Sequence, residues 1–190
     1  MSQTKVRILE AALSCFMDKG VEASSINDIR EASGISVGSI YHHFGNKEAI
    51  VVALFLRAMH DHAQMQETAL VQAGSAEEGV KAIVACYIDW IVRNPDWARF
   101  VFRYKALVDN SELADESRHQ SKQYFERLQA WFAPHIESDA VKRLPLSVYH
   151  SLIIGPAQDF ALRWLKGETR HSLDQFRDLY MEAAWQSVKQ

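Results

Sequence analysis

The chain has 190 residues, of which 48% are hydrophobic and 24% charged, with a formal net charge of −3. That is enough apolar material for one or two small cored domains, and it excludes a generally basic protein that grips polyanions by bulk charge. Two distant cysteines, Cys15 and Cys86, exclude a disulfide framework, and the longest apolar run, Ala49 to Leu56, is too short to span a bilayer. No apolar leader is read at the N-terminus, so a cytoplasmic protein with no membrane partner is expected.

Nearly every segment reads as helix, and the fold class is all-α with about nine helices. Ile8, Leu9, Ala12, Leu13, Cys15 and Phe16 recur at helical spacing. They predict a first helix from about Lys5 to Asp18, capped by Thr4 and stopped at Gly20. Ser24 or Ser25 caps a short second helix ending at Ala32 or Ser33 before Gly34, with Ser25 and Asp28 spaced as a capping box. Ser36 caps a short third helix that ends near His43, and Gly45-Asn46 separates it from a long fourth helix, Lys47 to about Val71. Ala73-Gly74-Ser75 is the clearest break, and Ser75 to Glu78 opens a fifth helix that ends at Asn94-Pro95. Pro95 then starts a sixth. A seventh helix is expected from about Ser111 to Phe132. A connection from Pro134 to Pro145 leads to an eighth, about 146–166, which Gly155-Pro156 should kink or split. Ser172 to Gln175 is spaced as a capping box for a ninth, ending near Val188.

The second and third predicted helices, joined at Gly34, form a pair of short helices with a tight turn. Ile26, Ile29 and Ala32 are expected to face inward against Val37, Ile40 and Phe44. Ser36, Gly38, Ser39, Tyr41, His42 and His43 are left for the outer face. Small, hydrogen-bonding side chains of this kind suit a helix lying in a DNA major groove. Residues 1–50 hold five Lys/Arg against six Asp/Glu, so any grip on phosphate must be local. Helix N-termini offer that grip. Asn46 and Lys47 start the fourth helix, and Ser24 and Ser25 start the second. Each site aims free N–H groups and a positive dipole end at an anion.

The run from Gly34 to Ile50, with Ile8-Leu9-Glu10-Ala11-Ala12, Phe16, Gly20 and Ser24 to Ile29 upstream, resembles the signature of tetracycline-repressor-type (TetR-family) regulators. The specific likeness covers about residues 5–56. It implies a DNA-binding head, 1–48, with the fourth helix from 47 as connector, and an effector-binding and dimerisation body, 49–190. It puts Ser36, Val37, Gly38 and Ser39 on the recognition helix, and Tyr41, His43 and Lys47 at phosphate, with His42 at a position that varies. The expected function is a ligand-responsive regulator, a repressor released from a palindromic operator by a small effector. The alternative is a small-molecule-binding helical module without DNA binding. No enzyme, cofactor or metal site is expected, because no nucleophile elbow, P-loop or dinucleotide-binding glycine pattern occurs.

The body is rich in aromatics. They either pack as core or line a cavity for an apolar or aromatic effector, with glutamines to orient it. The residues considered are Gln66, Tyr87, Trp90, Phe102, Tyr104, Phe125, Gln158 and Trp164. The eighth and ninth helices have wide apolar faces that either fold into the chain's own core or meet a symmetry mate. Their expected interface residues are Ile154, Ala157, Ala161, Leu165, Phe176, Tyr180, Ala183 and Ala184, in a homodimer whose two-fold axis matches a palindrome with half-sites roughly 34 Å apart.

Overall fold

The structure is a computed structural model that describes residues 2–111 and 114–190. Among the described residues ten α-helices follow one another: α1 (Gln3–Lys19), α2 (Ile26–Ser33), α3 (Val37–Phe44), α4 (Lys47–Gln72), α5 (Ala76–Arg93), α6 (Pro95–Asp109), α7 (Ala114–Glu137), α8 (Leu146–Ile153), α9 (Gly155–Leu165) and α10 (Arg177–Val188). The serine caps explain several boundaries. The Ser25 hydroxyl accepts the Asp28 N–H (3.2 Å) while Asp28 accepts the Ser25 N–H (2.7 Å), a complete capping box. Ser36 and Ser75 accept the N–H groups of Ser39 and Glu78 at 3.3 and 3.1 Å. Asn46 accepts the Ala49 N–H (2.7 Å) at the head of α4.

Three boundaries differ from expectation. Ser2 rather than Thr4 caps α1, accepting the Lys5 N–H at 3.3 Å, so the helix begins earlier. Helix α7 runs past Pro134 to Glu137, because a proline in the last turns removes one backbone bond rather than a helix. The expected start of that helix falls partly on residues 112 and 113, which lie outside the described residues. Gly155-Pro156 does split the eighth predicted helix, into α8 and α9. The expected cap at Ser172 does not form. Its hydroxyl bonds the Asp174 side chain instead, and Leu173–Phe176 wind as a 3-10 turn before α10.

The chain divides into two compact units, 1–59 with 96–120, and 60–95 with 121–190. In the first, Ile8, Leu9, Phe16, Ile29, Ile40, Ile50 and Leu54 are buried together with Phe100, Tyr104 and Val108 of α6. Full burial of side chains this size contributes about 1.5–3 kcal/mol each. Phe16 stacks on Phe100 (6.2 Å), and the Tyr104 hydroxyl accepts the Val21 N–H (3.1 Å). Helix α6 therefore belongs to the core of the head, where the sequence had suggested a single boundary at 48.

In the second unit α5 lies along α10, tied by Arg177, whose Nε and Nη2 donate to the two Asp89 carboxylate oxygens at 2.9 and 3.0 Å. Gly79 on α5 gives Trp131 room, since a Cβ there would lie 1.9 Å from the indole ring. Phe132 stacks on Tyr149 at 4.4 Å. The expected interface residues divide here. Ile154, Ala157, Ala161, Leu165 and Ala184 are buried within the single chain, so they fill its own core and are not exposed to a symmetry mate. Phe176 and Tyr180 are half-buried around Phe160 (5.4 and 6.2 Å), and Ala183 and Leu179 are exposed.

Candidate DNA interface and effector site

Helices α2 and α3 meet across Ile35, with Gly34 in the left-handed region (φ 67) and its N–H bonded to the Arg30 carbonyl. A side chain is strained at that φ, which is why glycine ends α2. Ile29 and Ile40 are fully buried, and Ile26, Val37 and Phe44 are half-buried. Ala32, expected inside, is exposed. Ser33 is buried in its place and accepts the Ile35 N–H (3.1 Å) to tighten the turn. The outward face of α3 presents Ser36, Gly38, Tyr41 and His42, with Ser39 and His43 half-exposed. This is a continuous strip of small and hydrogen-bonding groups, and α4 opens immediately after it.

Three of the residues expected at phosphate are occupied. Ser24 is 3% exposed, and its hydroxyl donates to the carbonyls of Gly20 (2.7 Å) and Cys15 (3.1 Å), so its side chain braces the loop. At Ser25 the α2 N-terminus already holds an anion, the Asp28 carboxylate, which also receives the Lys19 ammonium (2.5 Å). Lys19 and Ser25 together hold the Asp28 carboxyl well below the usual carboxylate range. Lys47 donates to three carbonyls, Val21 (2.6 Å), Ser24 (2.8 Å) and Glu22 (3.3 Å). An ammonium has three donors, so this loop engages all of them. The other cations of residues 1–50 are also partnered. Arg7 donates to Ser33 O (2.8 Å), Arg30 pairs with Glu31 (2.8 Å), and Lys5 lies over the Phe44 ring (5.8 Å).

The residues considered for an effector pocket separate between the units. Tyr104 and half-buried Phe102 lie on α6 in the first unit, and Tyr104 is core there. Gln66, Tyr87, Trp90, Phe125, Gln158 and Trp164 lie in the second. Around Gln66 the structure adds partners that the sequence did not single out. The Tyr124 hydroxyl donates to Gln66 Oε1 (2.7 Å), Trp90 Nε1 donates to Asp61 (2.8 Å), and His62 sits edge-on to Tyr87 (5.9 Å) and Trp90 (5.8 Å). Burial drives the His62 imidazole down to about 4 against the weaker opposing pull of Asp61, so the ring is neutral. Burial also pushes Tyr124 up to about 12 and Tyr87 well above the usual phenol range. The signal available in the sequence was His62 and Gln66 at i, i+4 on one face of α4. An open groove of about 430 Å³, lined by Asp61, Met65, Thr68, Trp90, Arg93 and Asn94, lies on the outer side of Trp90. An apolar crevice of only about 20 Å³ runs past Tyr124 between Ile83, Leu128, Phe132, Leu146 and Ile153. Gln158 and Trp164 on α9 are half-exposed.

A glycine-hinged helix pair with an exposed polar second helix, in an all-helical chain, defines the helix-turn-helix class of DNA-binding regulators. Residues 8–54 match the profile of the bacterial regulatory proteins of the tetR family. That likeness covers α1 to the first turns of α4. The chain is 28% identical over 179 residues to the HTH-type transcriptional repressor AcnR of Corynebacterium efficiens, covering 93% of this chain and 89% of the relative. Its fold is shared by a TetR-family transcription regulator from Marinobacter aquaeolei VT8 (TM-score 0.82, 18% identity, 98% of this chain and 95% of the other). It is also that of the FadR regulator of Bacillus subtilis in complex with stearoyl-CoA (TM-score 0.80, 21% identity, 94% and 96%).

Proposed function

We propose that the protein is a ligand-responsive transcriptional repressor that binds a palindromic operator as a cytoplasmic homodimer. The carrying observation is the exposed face of α3, with Ser36, Gly38, Ser39, Tyr41 and His42 outward and the Asn46-capped start of α4 directly behind it. That face is uncharged apart from what histidine can supply. Base readout falls to Ser36 and Ser39, with Val37 and Gly38 adding shape but no side-chain hydrogen bond. Phosphate contact falls to Tyr41, His42 and His43 and to backbone N–H groups at the α4 start, rather than to the Lys47 ammonium or the Ser24 hydroxyl.

Dimerisation is assigned to the half-buried and exposed part of the C-terminal helices, Phe160, Phe176, Leu179, Tyr180 and Ala183. Aromatic and apolar groups left at a surface in this way favour a self-complementary contact. The effector is assigned to the second unit, around α4 residues 61–66. Because FadR holds stearoyl-CoA, an acyl thioester is the class carried over to this chain. Binding there shifts α4, the helix whose first turn anchors the loop before α2, and so alters the recognition helix. Fluorescence anisotropy against DNA from upstream of the protein's own gene, with salt and acyl-CoA titrations, tests the whole reading. Specific binding that acyl-CoA weakens is expected. Absence of any sequence-preferred binding would overturn it in favour of a binding module without DNA recognition.

A further inference from the structure

The second unit buries polar atoms that the protein does not satisfy. His62 Nε2, Gln66 Nε2 and the Tyr87 hydroxyl are each sealed from solvent, and none has a hydrogen-bond partner in the protein. Gln66 is 1% exposed. A buried unsatisfied polar group costs about 1–3 kcal/mol, so native interiors keep only a few, and a cluster of them calls for a reason. Here three occur close together, His62 and Gln66 one turn apart on α4 and Tyr87 packed edge-on to His62 from α5. The Tyr124 hydroxyl fixes Gln66 through its Oε1, which leaves the amide NH2 as the free end.

The charges around this cluster decide what it can accept. Asp61 is the charge that acts on His62, and burial alone acts on Tyr87. Arg127 reaches Tyr124 only from a surface pair with Glu67 (3.4 Å). A carboxylate placed here would therefore be desolvated beside Asp61, with Arg93 turned to the open groove on Met65 rather than to Gln66 and Tyr87, which is unfavourable. A neutral carbonyl oxygen needs only hydrogen-bond donors, and Gln66 Nε2 and the Tyr87 hydroxyl are donors. The apolar crevice starts at Tyr124 itself and is too small for any ligand in this state, so an apolar tail has to open it.

We propose that Gln66 and Tyr87, with His62 beside them, hold the neutral carbonyl of an acyl effector whose apolar chain occupies the crevice between Ile83, Leu128, Phe132 and Leu146, so that the protein distinguishes acyl thioesters, esters and amides from free fatty acids. This rests on the effector reading above and names the group that is recognised. Isothermal titration of the full-length protein at pH 7.5 with matched pairs, the primary amides and the sodium carboxylates of butyric to dodecanoic acid, tests it. At the best chain length the amide binds at least tenfold more tightly than the carboxylate. Tyr87→Phe removes one donor and weakens the amide roughly fivefold to tenfold. It leaves carboxylate binding unchanged and does not lower the thermal midpoint, because the lost hydroxyl was unsatisfied. Equal affinities for amide and carboxylate, no binding of any amide, or a Tyr87→Phe protein that binds the amide like the wild type would each overturn the proposal. The last result would mean that the buried atoms serve only internal water. Operator binding by the unliganded protein, measured in parallel, tests the repressor reading on its own, since it does not depend on the carbonyl site.

Discussion

Lys47 is where phosphate contact and head architecture make opposite predictions. Its ammonium closes the loop between α1 and α2 through bonds of 2.6 and 2.8 Å to Val21 and Ser24 and a longer one of 3.3 Å to Glu22. Lys47→Met keeps the apolar stem and removes all three. Hydrogen bonds to charged groups contribute about 1.5–3 kcal/mol each. Two good bonds and one weak one, in a loop partly open to water, come to about 2–4 kcal/mol. For a chain of this size that lowers the thermal midpoint by roughly 5–15 °C. Lys47→Arg should recover only part of this, because a planar fork cannot point at three converging carbonyls. The assay pairs thermal or urea unfolding with operator anisotropy at several salt concentrations. If Lys47 is a clasp, Lys47→Met lowers the midpoint, and the salt dependence of binding, measured well below that midpoint, keeps its slope. If it contacts phosphate, the slope becomes shallower by about one and stability barely changes. That second result would refute the assignment.

Tyr41→Phe on the exposed end of α3 should weaken operator binding by about 1 kcal/mol for all sequences alike, with the midpoint unchanged; a change of sequence preference in a panel of mutated operators would contradict the phosphate role. Gly79→Ala puts a Cβ within 1.9 Å of the Trp131 ring and should destabilise by about 1–3 kcal/mol in urea unfolding, with Trp131→Leu in the same chain restoring most of it. If Gly79→Ala alone is neutral, α5 and α7 are not packed as described. His62 titrates at about 4 in the fold and near 6.5 when unfolded, so the unfolded chain takes up a proton that the folded chain refuses. This group leaves stability unchanged above about pH 7 and removes up to about 3 kcal/mol as pH falls from 6.5 towards 4. His62→Phe should flatten that part of the stability curve, and a curve identical to wild type would show that the imidazole is not buried as placed.

The parts of the fold that short-range chemistry decides were legible in the sequence. Ser25, Ser36 and Asn46 cap because a side-chain oxygen before a helix has few other uses, and Gly155-Pro156 splits a helix because backbone geometry requires it. The head motif was legible for the same reason, since its turn is set by one glycine and its faces by apolar spacing. What failed was the direction of long side chains and small residues. Nothing local tells an alanine at 32 from a serine at 33, yet one is exposed and the other buried. Nothing local shows that Tyr104 of α6 closes the loop at Val21, because those residues meet only after the chain has folded back on itself. The same limit applied to the apolar faces of α8, α9 and α10. Periodicity marks a face as buried but does not say by what, and Ala157 and Ala161 turned out to be covered by their own chain.

Charge shows the limit most clearly, because composition counts cations but not where they are engaged. Residues 1–50 carry five, and each has a partner inside the head: a ring, a carboxylate or backbone carbonyls. The exposed pairs Lys19–Asp28 and Arg30–Glu31 are weak enough for phosphate to compete, whereas Arg7 and Lys47 cap carbonyls that would be left bare. On the proposed assignment, an operator complex built on such a head would draw little on counterion release and much on oriented N–H groups, a hydroxyl and imidazoles. Those groups act only at hydrogen-bond range and only in one orientation. Binding of that kind is weak when misaligned, so a small displacement of α3 would weaken it. The same low reserve of charge that argued against DNA binding on composition therefore suits a regulator whose release depends on the movement of a single helix.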